Sequence, residues 1–320
     1  MHFIRGLENF PRGLPELVVT IGNFDGVHLG HRQILEETVK KARQGQGVSL
    51  AFIFDPHPLR FLKQEKSPPL LTTLSQKVRL IQNLGIDFLL CAAFDKEMLR
   101  LSPRRFAREV LVEKLQVREI VEGSGFTFGN NRTGTAETLC QLGQELGFRV
   151  TISEYVQAGG ETISSSRIRK MIPLGRVGEA AELLGHPYFI EGRVVEGNKR
   201  GKKLGFPTAN LASENELSPR VGVYASWVNH RSQLYPGVTN VGYCPTFGEG
   251  ALTVETFILD FQQDIYGENI SLYFMKRLRN EMKFNGPNAL VQQMGQDVEN
   301  AKRALNGLKS KRFYAIQSKM

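Results

Sequence analysis

The sequence predicts two domains in series: an α/β domain on a parallel, doubly wound sheet, then an antiparallel β-barrel closed by a C-terminal helix. Three observations predict this. The first half alternates β-branched apolar runs with segments of helical periodicity, the pattern of strand–helix–strand units. From Gly185-His186-Pro187 onward the texture changes to short strand-like runs separated by Gly, Pro and Asn turns, the pattern of a barrel. The length, 320 residues, is long for one compact core and comfortable for two. The boundary is therefore placed to give domains 1–184 and 185–320.

In the first domain, residues 17–22 form a strand by β-branched content and 31–43 a helix. Residues 48–54 are a strand, 75–84 a helix and 88–93 a strand. Residues 103–114 form a helix, with Ser102 as N-cap and Pro103 in its first turn. Then come a strand over 119–122, a helix over 135–146 ended by Gly147, and a strand over 149–155. In the second domain, 188–195, 222–228, 234–241, 252–261 and 269–278 read as strands. Leu290, Val291, Met294, Val298, Ala301 and Leu305 recur at helical spacing, which predicts the closing helix over 288–308.

Composition narrows the function classes. Hydrophobic residues make up 41% and charged residues 23%, an ordinary globular balance. No apolar run approaches the roughly 20 residues of a membrane span. Residues 1–15 carry Arg5 and Glu8 without an apolar stretch after them, unlike a secretory signal. The cytoplasm is the expected location, with no membrane partner. Cys91, Cys140 and Cys244 are far apart and form no C-x-x-C pair, so neither a zinc knuckle nor a redox pair is supported. The net charge of +9 suits polyanionic ligands, whether nucleic acid or phosphorylated small molecules.

The sharpest signal of the first half is Gly22-Asn23-Phe24-Asp25-Gly26-Val27-His28-Leu29-Gly30-His31, between the first strand and the first helix. Glycines let backbone approach a ligand, and a helix N-terminus offers free N–H groups to phosphate. His28 and His31 are three apart and share a helical face. They can donate hydrogen bonds to a triphosphate and to charge developing on leaving pyrophosphate. The bland alternative is a pair of capping histidines beside a glycine turn.

The pattern G-x-F-D-x-x-H-x-G-H resembles the signature of the H-x-G-H nucleotidyltransferases, and the whole segment is similar to the adenylyltransferase half of the prokaryotic bifunctional riboflavin kinase/FAD synthetase family. Phe54-Asp55-Pro56-His57-Pro58, Gly123-Ser124-Gly125-Phe126-Thr127-Phe128-Gly129 and Ile163-Ser164-Ser165-Ser166-Arg167-Ile168-Arg169 resemble further segments of that family. The resemblance implies a Rossmann-like nucleotidyltransferase domain. It implies catalytic roles for His28, His31 and Arg167, and nucleotide or phosphate contacts at Gly22, Asn23, Phe24, Asp25, Gly123, Gly125, Ser164, Ser165 and Ser166. It implies flavin contacts at Phe54, Pro56, His57, Phe126 and Phe128. Gly125 departs from the family, which usually has Asp or Asn there; the expectation is an adenylyl transfer intact in type, with altered rate or metal dependence.

In the second half the sharpest signal is Gly201-Lys202-Lys203-Leu204-Gly205-Phe206-Pro207-Thr208-Ala209-Asn210-Leu211. The nearest approach to a Walker A loop, Gly197 to Lys203, has three residues between its glycines in place of four and Lys203 where Ser or Thr belongs, so that reading fails. In an extended segment Thr208 and Asn210 point the same way, and their oxygens suit Mg²⁺ shared with phosphate. This string resembles riboflavin kinase, as do Gly222-Val223-Tyr224-Ala225, Gly237 to Gly242 with Pro245-Thr246-Phe247, and the run from Val254 to Phe261 with Tyr266-Gly267. The resemblance implies Glu255 as general base, nucleotide contacts at Gly201, Lys202, Gly205 and Thr208, a flavin contact at Arg279, and Mg²⁺ at Thr208 and Asn210.

Taken together the resemblance implies two reactions, riboflavin to FMN and FMN to FAD, with ATP as donor in both. ATP, riboflavin and FMN are the expected partners, Mg²⁺ the expected cofactor, and FAD the final product. Nucleic acid is not expected, because the barrel shows no exposed aromatics interleaved with basic residues. Self-association is left open.

Overall fold

The computed structural model describes residues 1–58, 60, 67–197, 201, 204–244 and 251–306. Lys202 and the 245–247 motif lie outside the described residues. The chain forms two compact units, Met1–Ser164 and Ser165–Met320.

The first unit is a six-stranded parallel sheet with helices between its strands. Its strands are β1 (His2–Arg5), β2 (Val18–Ile21), β3 (Ser49–Asp55), β4 (Phe88–Ala93), β5 (Glu119–Gly123) and β6 (Arg149–Ser153). The order is β1-β4-β3-β2-β5-β6, so the winding reverses at β2, between β3 and β5. β2 follows β3 from Val18 to Ile21, but pairs with β5 only at Val18 and Val19. The two strands then separate, which opens a crevice at their carboxyl ends, where doubly wound sheets bind ligands. The helices are α1 (Leu29–Gln44), α2 (Leu74–Gln82), α3 (Pro103–Arg105, continuing in wider π-type turns over Phe106–Lys114) and α4 (Ala136–Leu146). α2 begins on a capping box: Thr73 accepts from the Gln76 N–H, and the Gln76 side chain accepts from the Thr73 N–H. Such a cap is worth about 1 kcal/mol. Ser102 caps α3 and Gly147 ends α4 in the left-handed region, as the sequence predicts. Leu50, Phe52, Leu90, Leu111 and Ile120 are fully buried at the centre of the sheet.

The second unit begins with α5 (Ser165–Met171) and α6 (Val177–Leu184). The closed antiparallel barrel follows: β7 (Tyr188–Val195), β8 (Thr208–Ser213), β9 (Gly222–His230), β10 (Gln233–Cys244), β11 (Ala251–Ile258) and β12 (Asn269–Arg279), in the order β7-β8-β11-β10-β9-β12. α7 (Pro287–Asn306) closes the unit by burying Ala301 and Leu305 against Ala225. Closure removes every free sheet edge from the barrel. The units divide 20 residues before the change in sequence texture, because α6 packs on β7 and β12.

Several elements differ from expectation. β1 was not foreseen: four residues at the edge of a sheet carry little periodic signal. The strand expected over 149–155 stops at Ser153, where its partner β5 also ends, at the register Gly123–Ser153. The strand expected to reach 261 ends at Ile258: the Leu259 N–H makes a last ladder bond to Pro236 O, and Asp260 then enters the left-handed region.

Candidate functional site

The turn from β2 to α1 is built on unusual backbone. Phe24, Gly26 and Val27 have φ of 45°, 82° and 41°. For Phe and especially β-branched Val the left-handed region costs about 1–3 kcal/mol, so surrounding contacts must hold it. Asp25 supplies them. Its carboxylate, 1% exposed, accepts from the Leu71 N–H, the Thr72 N–H and the Thr72 hydroxyl at 3.0–3.1 Å. The Gly26 N–H donates to Thr72 Oγ1 at 3.1 Å. Asp25 thus ties the turn to the segment leading into α2.

His28 is the N-cap of α1, its Nδ1 accepting from the His31 N–H at 3.3 Å. Histidine is not a preferred cap; Ser, Thr, Asp or Asn would serve better. With Nδ1 accepting, neutral His28 carries its proton on Nε2. The His28 and His31 rings stack at 3.6 Å with 17° between planes, and Phe24 meets His31 edge-on at 5.3 Å. His31 Nδ1 is buried and has no hydrogen-bond partner among the described residues. Burial, then His28 and Lys77, push the His31 pKa well below the ordinary value. Lys77, on α2 and 5% exposed, has its own pKa lowered by burial, while Asp25, Cys91 and Asp55 oppose that shift. The sequence reading missed Lys77 because one lysine in an amphipathic helix looks like surface; its place four residues after the Thr73 cap is the only hint.

At the strand split, Glu122 on β5 is 3% exposed and accepts from the Ile21 N–H at 2.6 Å. It satisfies the amide that β5 would have paired had the strands stayed together. Burial pushes its pKa well up, against the bond from Ile21.

The remaining predicted residues of this unit lie at strand ends and in the turns that follow them. Gly22 follows β2, its N–H on Phe52 O at 3.0 Å; a Cβ there would stand 2.9 Å from the Phe24 ring. Asn23 is half-buried. Phe54 ends β3 between Phe52 and Phe94. Pro56 is exposed and His57 buried. Gly123 ends β5, where a Cβ would press on Ile34 of α1 at 3.3 Å. Phe126 stacks on Phe128 at 5.5 Å; Phe128 is buried against Phe106, while Phe126 is half-buried. Ser164 closes the unit, and Ser165, Ser166 and Arg167 open α5 of the second.

In the barrel, Glu255 on β11 pairs with Asn210 of β8 on one side and Asn240 of β10 on the other. Directly opposed residues share a face of the sheet, so Thr208, Asn210, Asn240 and Glu255 form one polar row. Thr208 Oγ1 lies 3.5 Å from Glu255 Oε2. A cavity of about 250 Å³ adjoins it, with Phe206, Phe257, Met282, Phe284 and Met294 in its walls. Its apolar walls and polar floor suit a flat aromatic ligand with a hydroxylated tail. Gly201 O accepts from the Leu204 and Phe206 N–H groups, and Gly205 has φ of 85°. A Cβ on Gly201 would overlap Phe206 O, so this turn needs glycine. Arg279 lines the cavity, but its guanidinium is held by Asp297 of α7 at 2.6–3.1 Å. Asp297 is 2% exposed.

Comparison with known proteins matches both units. Residues 11–167 match the family model described as FAD synthetase, and 184–305 that described as riboflavin kinase. Proteins named bifunctional riboflavin kinase/FMN adenylyltransferase align over most of their length. That of Bacillus subtilis is 38% identical, covering 91% of this chain and 93% of its own. That of Escherichia coli K12 is 37% identical (93% and 96%), and that of Buchnera aphidicola subsp. Schizaphis graminum 35% (96% and 99%). A solved structure described as a macrolide-efflux protein from Streptococcus pneumoniae superposes with a TM-score of 0.86 at 30% identity, covering 94% of this chain and 99% of that one. Among the described residues, no helix is long and apolar enough to cross a membrane.

Proposed function

Because the chain belongs to the bifunctional riboflavin kinase/FMN adenylyltransferase family, we propose how its residues divide the two reactions. The protein phosphorylates riboflavin to FMN and transfers an adenylyl group from ATP to FMN, releasing pyrophosphate and FAD. The observation that carries the division is that two chemically different constellations occupy separate units: a stacked histidine pair at a helix N-terminus, and a carboxylate in a barrel beside an apolar cavity.

In the first unit the N-terminus of α1 receives the ATP phosphates. His28 donates from Nε2, and His31, held neutral, offers its unpartnered Nδ1. The phosphate of FMN attacks the α-phosphorus, and the bond to pyrophosphate breaks. Positioning and charge stabilisation suffice, with no covalent enzyme intermediate. Lys77 adds positive charge behind the rings, and Ser164 adds a phosphate contact; Ser165, Ser166 and Arg167, which open the second unit, keep the phosphate role that the family resemblance implies. Gly22, Asn23 and Gly123 let backbone approach the nucleotide, Phe24 braces His31, and Asp25 fixes the turn. Phe54, Pro56, His57 and Phe126 bound the flavin, with Phe128 as the packing behind Phe126. On this reading the adenylyltransferase domain is 1–184.

In the second unit Glu255 accepts the proton of the ribityl 5′-hydroxyl as that oxygen attacks the γ-phosphorus. The hard oxygens of Thr208 and Asn210 beside Glu255 fit Mg²⁺, which when bound neutralises phosphate charge. Gly201, Lys202 and Gly205 form the phosphate loop, and Arg279, braced by Asp297, shapes the flavin wall. Cytoplasmic location and small-molecule partners alone belong to the same reading.

The test is to incubate the purified chain with riboflavin, ATP and Mg²⁺ and separate the flavins over time. FMN followed by FAD is expected. A reaction that stops at FMN would sink the adenylyl assignment, and no conversion would sink both.

A further inference from the structure

We propose that Tyr155 is a substrate-contacting, specificity-determining residue of the adenylyl-transfer site, its phenol filling the place that a side chain at position 125 would take and facing the adenosine of ATP. A Cβ built on Gly125 would overlap Tyr155 Oη and stand 2.8 Å from Cζ and 3.3 Å from Cε1. The two residues therefore share one volume, and a glycine at 125 is what admits the ring. Yet the ring is 54% exposed, so it is not core packing.

The backbone on either side of Tyr155 is fixed to the crevice. The Ser124 N–H donates to Ser153 O at 3.0 Å, joining the turn after β5 to the end of β6. The Gln33 side chain of α1 donates to Glu154 O at 3.4 Å, one residue before Tyr155. One residue after it, Val156 O accepts from the Ile163 N–H at 2.9 Å. Ile163 O in turn lies 3.8 Å from where a Gly30 Cβ would stand, beside the His28 ring. Tyr155 is thus held on the rim of the crevice, within the first turns of the helix that receives the triphosphate. Ser124 Oγ, next to Gly125, is buried and has no hydrogen-bond partner among the described residues.

The topology favours the adenosine half. Phe54, near the end of β3, and His57, just after it, lie on one side of β2; Tyr155 follows β6, beyond β5 on the other, a side that Phe126 alone of the proposed flavin contacts shares. An exposed ring with a hydroxyl on that side is suited to stack on a purine and hydrogen-bond its ribose or base edge. This rests on the adenylyltransferase reading above.

The test measures steady-state kinetics of FAD formation from FMN and ATP, with riboflavin phosphorylation by the same preparation as the internal control. Tyr155→Ala is expected to raise KM for ATP about tenfold, and Tyr155→Phe about threefold, with kcat much less changed. Gly125→Ala displaces the ring and should mimic Tyr155→Ala; the double variant should be no worse than the worse single one. Unchanged KM for ATP in Tyr155→Ala, a rise confined to KM for FMN, or additive effects in the double variant would each overturn the proposal. Absence of FAD formation by the wild-type chain would instead remove the adenylyltransferase reading itself.

Discussion

His31 is held neutral by burial, by its stacked neighbour His28 and by Lys77. Its folded pKa lies below the unfolded value of 6.5, so the unfolded chain takes up a proton first as pH falls. The contribution to stability is therefore complete above 6.5 and is lost as pH falls from there toward the folded value. His31→Asn cannot titrate. Thermal melts from pH 8 to pH 5 should show the wild type losing ground against this variant below about 6.5, and parallel curves would refute the linkage. The same variant should slow FAD formation about a hundredfold and leave riboflavin phosphorylation unchanged, if Nδ1 meets a phosphate oxygen. The motif was legible in the sequence as spacing. Capping was legible there as the alternative reading, and His28 does cap the helix; that His31 would carry an unpartnered nitrogen was not, because it depends on the left-handed turn at Phe24, Gly26 and Val27.

The strand pair β2 and β5 shows how an element makes a site by failing to pair. Beyond Val19 the strands part, and Glu122 takes over the Ile21 N–H. A carboxyl with a raised pKa contributes stability that is complete below its ordinary 4.5 and is lost as pH rises through the folded value. Glu122→Gln keeps the acceptor without the charge. It should match the wild type near pH 4 and exceed it increasingly toward alkaline pH in denaturant melts. Glu122→Leu strands the amide, at a cost of about 1–3 kcal/mol. Equal stability of Glu122→Gln and wild type at every pH would remove Glu122 as a titrating strut. Periodicity read 119–122 correctly as a strand, but it cannot tell a solvated glutamate from one facing a gap, since the gap belongs to the neighbouring strand.

At the scale of the molecule, the stacked histidine pair and Glu255 lie in different compact units, and the proposed division of the reactions is tested on them. Glu255→Gln should lower FMN formation at least about a hundredfold, yet still convert supplied FMN to FAD at the wild-type rate. His28→Asn should do the reverse. Either substitution abolishing both activities would contradict the division.

The sequence by itself determined the order of the two folds, because glycine turns, helix starts and strand alternation are local properties of consecutive residues, and the flavin family followed from the resemblance of whole motifs. It also placed Glu255, Thr208 and Asn210 in extended segments, though not as neighbours on adjacent barrel strands. Only the tertiary structure decided which groups meet across long separations. Asp25 meets Thr72, Lys77 stands behind His31, Asp297 holds Arg279, and Tyr155 fills the space above Gly125. Each of these is a contact between segments brought together by burial of the sheet and barrel cores, and a sequence read along its length carries no distance across a fold.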